Sequence, residues 1–215
     1  MSEISALQAP DLPELEHGSL PSRDSTLELS GVLITGDGEA VNAERIRVRE
    51  CELRGVVLAP GNAPGLTLAD VLLRDCGMSN LDGREGRLSR VEVHRSQLVG
   101  FGLSRGDVRD VRVVDSSLQL ASFASASLRN VVFERVNLAE ASFMHARLES
   151  VAFVDCRLEG ADFRGAKLAG CVIRGASLDG VLGVESLSGL RMPWPDLLSS
   201  AGALAGALGI SIESD

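Results

Sequence analysis

The residues best suited to chemistry are a few histidines and cysteines that lie far apart along the sequence. No nucleophile and no acid–base motif accompanies the histidines, which are His17, His94 and His145. The cysteines lack CxxC spacing and are typical of reduced thiols in a cytoplasmic protein: Cys51, Cys76, Cys156 and Cys171. The P-loop, GxGxxG, HExxH and GxSxG motifs are also missing. We therefore expect no catalytic, metal or cofactor-binding site.

Composition excludes several further classes of function. The 215 residues are 45% apolar but only 3% aromatic, which favours a core of small and branched aliphatic side chains. The net charge of −9 argues against direct binding of nucleic acid through phosphate neutralisation. No apolar stretch is long enough to span a membrane, and the acidic first 20 residues predict no secretion signal.

A period of five residues organises most of the chain. Every fifth residue from Ala43 to Leu178 is apolar at 27 of 28 positions, Gly83 being the exception. The position two residues earlier, from Val41 to Ala176, holds only apolar or small residues and includes all four cysteines. No charged residue occupies either position, although residues 41–182 contain 37 charges. Two residues of each five therefore point inward, and neither an ordinary helix nor an ordinary strand has this period.

The repeat resembles the pentapeptide-repeat family of bacterial proteins. The clearest units are Ala121-Ser-Phe123, Ala126-Ser-Leu128 and Ala161-Asp-Phe163, in which a small residue, a polar residue and Leu or Phe precede two variable residues. The resemblance covers about two thirds of the chain. It implies an all-β solenoid, a right-handed quadrilateral β-helix in which four pentads make one coil. With 28 pentads, about seven or more coils are expected.

A coil of 20 residues predicts which core side chains stack. Residues 20 apart should form columns, and opposed columns of large side chains should fill the interior. The predicted structural core comprises Phe123, Phe133, Phe143, Phe153, Phe163, Leu128, Leu138 and Leu148.

The two ends lack this period and predict different structure. We expect residues 1–25 to form a flexible acidic tail or a loosely draped cap, and residues 26–182 to form the β-helix. Leu27 and Ile34 belong to two earlier pentads that are one residue out of phase with the repeat from Val41 onward, and we expect the slip at Gly36-Asp37-Gly38. Residues 183–215 should form a short helical cap that also serves dimerisation.

The predicted cap is an amphipathic helix from Asp196 to Leu208. We expect Gly209 to end it, Trp194 to pack against it, and Ile210 to Ile212 to form a short closing strand. Its apolar face is wider than one stripe, which predicts a homodimer joined at the C-terminal ends. The candidate interface is Leu197, Leu198, Ala201, Leu204, Ala205 and Leu208. The alternative is a monomer in which the helix lies flat against its own chain and buries this face there.

The location of the charge bears on function, because some pentapeptide-repeat proteins protect DNA gyrase as acidic mimics of duplex DNA. Here residues 1–40 carry a net −7 and residues 183–215 a net −3, whereas the repeat carries +1. One side of the predicted prism, the Val48 face, is the most basic, at about +3. Its basic residues are Arg47, Arg49, Arg87, Arg90, Arg109, Arg129, Arg147 and Lys167. The acidity therefore lies in the two ends and not on the rod, which departs from the acidic rod of the gyrase-directed proteins.

The neighbouring side, the Leu53 face, carries outward apolar residues among Arg112, Glu134 and Arg174. The candidate partner surface on it is Leu72, Val114, Val132, Val154 and Val172. The Pro-containing N-terminus could instead cover this strip. The sequence thus predicts a non-enzymatic interaction or scaffold protein that binds an unknown protein partner through its faces. The alternative is a DNA mimic that binds and modulates DNA gyrase.

Overall fold

Parallel strands repeat every 20 residues in the computed structural model, which describes residues 7–20 and 26–211. Leu68, Leu88, Val108 and Leu128 follow one another in register from coil to coil. The chain forms a parallel β-solenoid of about eight turns, and the predicted quadrilateral β-helix is confirmed. Neighbouring coils are about 4.8 Å apart, the usual spacing of paired strands.

Two of the four sides carry the long strands, and the other two are held mainly by isolated bridges. The strands are β1 (Glu16–His17), β2 (Thr26–Ser30), β3 (Val32–Thr35), β4 (Ala40–Val41), β5 (Arg45–Arg54), β6 (Val57–Leu58), β7 (Gly61–Asn62), β8 (Thr67–Arg74), β9 (Leu81–Asp82), β10 (Arg87–His94), β11 (Asp107–Val114), β12 (Ser127–Glu134), β13 (Arg147–Val154), β14 (Lys167–Ala169) and β15 (Val172–Arg174). A 3-10 turn spans Val184–Ser186, and the helices are α1 (Trp194–Ser199) and α2 (Ala201–Ala207).

The inward positions predicted from the sequence form the core. From Ile46 to Leu178 every such position is buried except Gly61, which is exposed, and Leu168, which is half-buried. The phenyl rings stack along two columns: Phe143 lies 5.3 Å from Phe123 and 4.9 Å from Phe163, and Phe133 lies 5.3 Å from Phe153. Rings of the two columns meet edge to face, as between Phe143 and Phe153 at 5.6 Å.

Most corners of the solenoid are turned by a residue in the left-handed conformation. Among residues 7–20 and 26–211, eighteen residues other than glycine have a positive φ, and all have numbers divisible by five. The backbone N–H of such a residue donates to the next coil, as from Asp75 to the His94 carbonyl at 3.0 Å. These inter-coil hydrogen bonds hold a conformation that costs an L-residue about 1–2 kcal/mol.

Side-chain oxygens replace the missing next coil at the C-terminal end. Gly165 N–H donates to Ser186 Oγ at 2.9 Å, and Gly175 N–H donates to Asp196 Oδ2 at 2.7 Å. Leu178 N–H donates to Ser200 Oγ at 3.1 Å. The last full coil is therefore capped by acceptors that the sequence places in an aperiodic segment.

The C-terminal cap differs from the single predicted helix. Two short helices meet at Ser200, which is fully buried because its hydroxyl turns inward to Leu178. Trp194, predicted to pack against the cap, is 67% exposed. The predicted closing strand is absent at Ile210 and Ser211, and Ile212 lies outside the described residues.

The N-terminal end is closed by a short strand. β1 pairs in parallel with β3, where Glu16 is in register with Val32 and Gly18 N–H donates to the Leu33 carbonyl at 2.9 Å. β2 pairs with β5 at a spacing of 19 residues rather than 20, as Thr26 with Arg45. The predicted net slip of one residue is confirmed, but it is not confined to Gly36-Asp37-Gly38, because Val41 is in register with Leu58 at a spacing of 17.

Candidate interaction surfaces

The histidines stay far apart in the fold, but one has a partner that the sequence analysis missed. His94 Nε2 lies 3.0 Å from Glu92 Oε2. The two residues alternate along β10, so the signal in the sequence was their spacing of two on one strand face. His17 and His145 are exposed, the first on β1 and the second at a left-handed corner.

All four cysteine thiols are buried and free. Burial raises the pKa of each thiol, that of Cys156 to about 11, so the reactive thiolate is disfavoured. The Cys156 thiol lies 3.4 Å from the Phe133 carbonyl, inside the solenoid wall. Within the part of the chain that the structure describes, no three His, Cys, Asp or Glu side chains cluster as metal ligands would.

Acidic and basic side chains at the corners pair between successive coils. The pairs are 20 residues apart: Asp75 with Arg95 at 2.8 Å, Asp115 with Arg135 at 2.6 Å, and Glu85 with Arg105 at 2.9 Å. Hydrogen bonds from these arginines hold the pKa of Asp75 and of Asp115 below the usual range. Together with Asp70, half of the eight acidic residues at left-handed corners are thus neutralised by an arginine of the next coil.

The Leu53 face offers much less apolar surface than the sequence predicted. Val114, Val132 and Val172 are buried, at 6%, 9% and 7% exposure, and only Leu72 and Val154 are half-buried. Val172 is bridged by Arg191 in the segment that leads into the C-terminal cap. The predicted partner surface is thus corrected, because three of its five residues are already covered.

The N-terminal segment lies along the edge between the Val48 face and the Leu53 face. Asp11 N–H donates to Asp70 Oδ1 at 3.1 Å, and Asp70 also pairs with Arg90. The Arg90 guanidinium, more than any other group, holds the pKa of Asp70 below its usual range. Further along this edge, Leu7 and Gln8 border a small cavity with Glu92 and Arg112.

Exposed large apolar side chains concentrate at the C-terminal end. Among residues 7–20 and 26–211 they number six, and five of them lie beyond residue 181. Leu120 is the one on the rod; the others are Leu182, Trp194, Leu198, Leu208 and Ile210. Of the predicted dimer interface, Leu198, Ala201 and Leu208 are exposed, whereas Leu197, Leu204 and Ala205 are half-buried.

Comparison with known proteins places the repeat in a family. The family model described as a pentapeptide repeat region matches residues 108–182, where the coils are most regular. Residues 108–182 are a pentapeptide repeat region. No curated protein sequence matches the chain.

Solved structures of other pentapeptide-repeat proteins are similar to it at low identity. HetL, involved in heterocyst differentiation regulation in the cyanobacterium Nostoc sp. strain PCC 7120, is 18% identical, with 77% of this chain and 86% of that chain covered and a TM-score of 0.48. A trypsin-treated variant of QnrB1, a plasmid-mediated fluoroquinolone resistance protein, is 16% identical, with 91% and 96% covered and a TM-score of 0.40. None of the described helices is long and apolar enough to cross a membrane.

Proposed function

We propose that this pentapeptide-repeat protein is a non-enzymatic interaction module that binds a protein partner through its rigid faces and acts as a homodimer. The observation that carries the proposal is the contrast in exposed apolar surface. The long rod exposes Leu120 alone among its large apolar residues before residue 182, whereas the C-terminal end exposes five, counted over the described residues. Apolar patches of this kind on a water-facing end are typical of contact surfaces.

The geometry of the cap supports a two-fold contact at this end. One side of the cap is committed to its own rod, through Ser200 and the half-buried Leu204. The other side presents Trp194, Leu198 and Leu208, at 67%, 58% and 77% exposure. A two-fold axis would set this patch against its own copy, which buries the same residues on both chains. Gly206 and Ala207 are exposed beside Leu208 and leave room for close approach.

Light scattering tests the dimer directly. At tens of micromolar we expect the mass of two chains, and the double variant Leu198→Glu/Leu208→Glu should give the mass of one, because four carboxylates would meet in the contact. The control is Leu120→Glu, which changes an exposed leucine on the rod and should keep the dimer mass. A wild-type monomer, or a dimeric double variant, would refute the C-terminal contact.

The surface charge favours protein contact over DNA mimicry. A duplex mimic needs rows of uncompensated acids, but acids along this rod pair with arginine, among them Glu52, Asp70 and Glu134. Gyrase supercoiling should therefore be unchanged by the purified protein, with or without a quinolone. Inhibition or rescue in that assay would instead favour the gyrase-directed role. A pull-down from the native cytoplasm, with the Leu198→Glu/Leu208→Glu variant alongside, would identify the partner of the rod.

A further inference from the structure

The Val48 face differs from the other sides because most of its arginine and lysine side chains have no ion-pair partner among the described residues. In residues 7–20 and 26–211, seven Arg or Lys side chains have neither an ion pair nor a hydrogen bond to another described residue. Five of them lie on this face: Arg47, Arg49, Arg87, Arg147 and Lys167. The other two, Arg45 and Arg174, lie on different sides.

Four of these cations occupy one straight column along the solenoid axis. The register runs from Arg47 through Thr67 to Arg87, then through Asp107 and Ser127 to Arg147 and Lys167. Seven positions at about 4.8 Å per coil make a stripe of about 29 Å. Within these seven positions the one acid, Asp107, pairs with Arg109 of the same coil, and beyond their N-terminal end Glu28 of β2 is in register with Arg47. All four cations of the stripe are exposed.

The C-terminal half of the stripe is the most strongly positive. Arg147 and Lys167 are direct neighbours in register, and like charges at that spacing repel. Ser127 and Ala169 beside them are small, so a partner can approach the sheet closely. Glu149, on the same strand as Arg147, pairs instead with Arg129 at 3.6 Å. Among the described residues, Arg147 and Lys167 therefore have no acidic side chain that neutralises them.

We infer that the cationic stripe of the Val48 face binds the acidic side of an α-helix in a protein partner. The inference rests on the proposed function and names one face and one partner chemistry for it. Carboxylates on one side of a helix recur about every 5.4 Å, close to the step of about 4.8 Å between Arg147 and Lys167, so a helix along the axis sets two successive acids opposite these two cations. Residues on one side of an extended strand recur about every 6.6 Å and lose this match within two coils.

Nucleic acid fits the stripe less well than an acidic helix. Single strands are held by aromatic side chains as well as by charge, and the described outward positions of this face carry no aromatic residue. The protein's net charge of −9 also repels a polyphosphate at long range, whereas a short acidic helix brings few charges. Arginine outnumbers lysine three to one in the stripe, which suits two-pronged contacts to carboxylates.

A fluorescence anisotropy titration tests the stripe with a synthetic probe. The probe is a fluorescein-labelled helical peptide of about 20 residues with one glutamate per turn on one side; a second peptide has the same composition with its glutamates spread around the helix. The one-sided peptide should bind more tightly, and added salt should weaken it. Arg147→Gln/Lys167→Gln should weaken binding by about tenfold, whereas Arg45→Gln/Arg174→Gln, with the same loss of charge from other sides, should change it less than about twofold.

Folding is checked on the same samples. The stripe variant should keep its thermal midpoint or raise it, because the substitutions remove a contact between like charges. Equal effects of the two variants, no binding of the one-sided peptide to wild type, or tighter binding of a single-stranded DNA oligomer would overturn the inference. The Leu198→Glu/Leu208→Glu variant should bind the peptide as wild type does, so failure of the stripe and failure of the C-terminal dimer are separate results.

Discussion

The regular coils and the C-terminal cap satisfy the same backbone groups by different means. Within the rod, each coil donates to carbonyls of the next, as Phe143 N–H does to Asp162 at 2.7 Å. At the end of the rod no further coil is described, and side chains of Ser186, Asp196 and Ser200 take over. A coil within the rod needs only the next coil to accept its hydrogen bonds, whereas the last coil needs side-chain oxygens at specific positions. The segment that supplies them is also the one that leaves large apolar side chains exposed.

The largest effect is expected in the rod, from Phe143→Asp. The side chain is fully buried between Phe123 and Phe163, so the variant would place an unpaired carboxylate in a dry column. We expect more than about 4 kcal/mol of lost unfolding free energy and unfolding of several coils, seen as loss of the β signal in circular dichroism.

The control for the rod is Arg147→Asp at an outward position. It should change the free energy of unfolding by less than about 0.5 kcal/mol, because the side chain is exposed and makes no ion pair with a described residue. A Phe143→Asp protein with wild-type stability would contradict the assignment of the inward positions.

A smaller effect is expected in the cap, from Ser200→Ala. The change removes the acceptor of the Leu178 N–H, which is buried, and should cost about 1–3 kcal/mol. Hydrogen exchange should show loss of protection at Leu178 while Phe143 stays protected. Ser199→Ala is the matched control, since its exposed hydroxyl bonds only to Asp196 within the same helix. Equal protection at Leu178 in both variants would mean that Ser200 does not cap the rod.

The smallest effect concerns pH and the corners. Because ion pairing lowers the folded pKa of Asp75 and Asp115, these groups stabilise the fold above the ordinary Asp pKa. That contribution is lost as the pH falls from about 4 through the lowered values. Asp75→Asn/Asp115→Asn should therefore flatten the acid-side decline of the thermal midpoint. Asp155→Asn/Asp179→Asn is the matched control, because neither residue pairs with a described cation. An equally steep decline of the thermal midpoint at low pH in both variants would refute the role of the corner ion pairs.

The sequence predicted the rod well because each pentad repeats the same two inward residues. The Phe columns, the four sides and the buried cysteines all result from that period and are confirmed. The break at Ser200 could not be predicted, since helix periodicity does not show that the Leu178 N–H lacks a partner. Burial of Val114 and Val132 was missed because the repeat phase assigns a position as outward but does not report how exposed the side chain is there.

The left-handed corners at every fifth residue restrict how the length of this chain can change. Inserting or deleting one residue within the regular coils would turn the core side chains of every later coil toward solvent, whereas the 19-residue spacing between β2 and β5 is accommodated in the irregular segment that follows β3. A change of five residues keeps them inward but moves each later column by a quarter of a turn, so Phe143 would no longer stack on Phe123. Whole coils of 20 residues are the unit in which the rod can grow or shrink without disturbing its faces. Each added coil would lengthen the Val48 face by about 4.8 Å, so the number of coils sets how far that face extends along the axis.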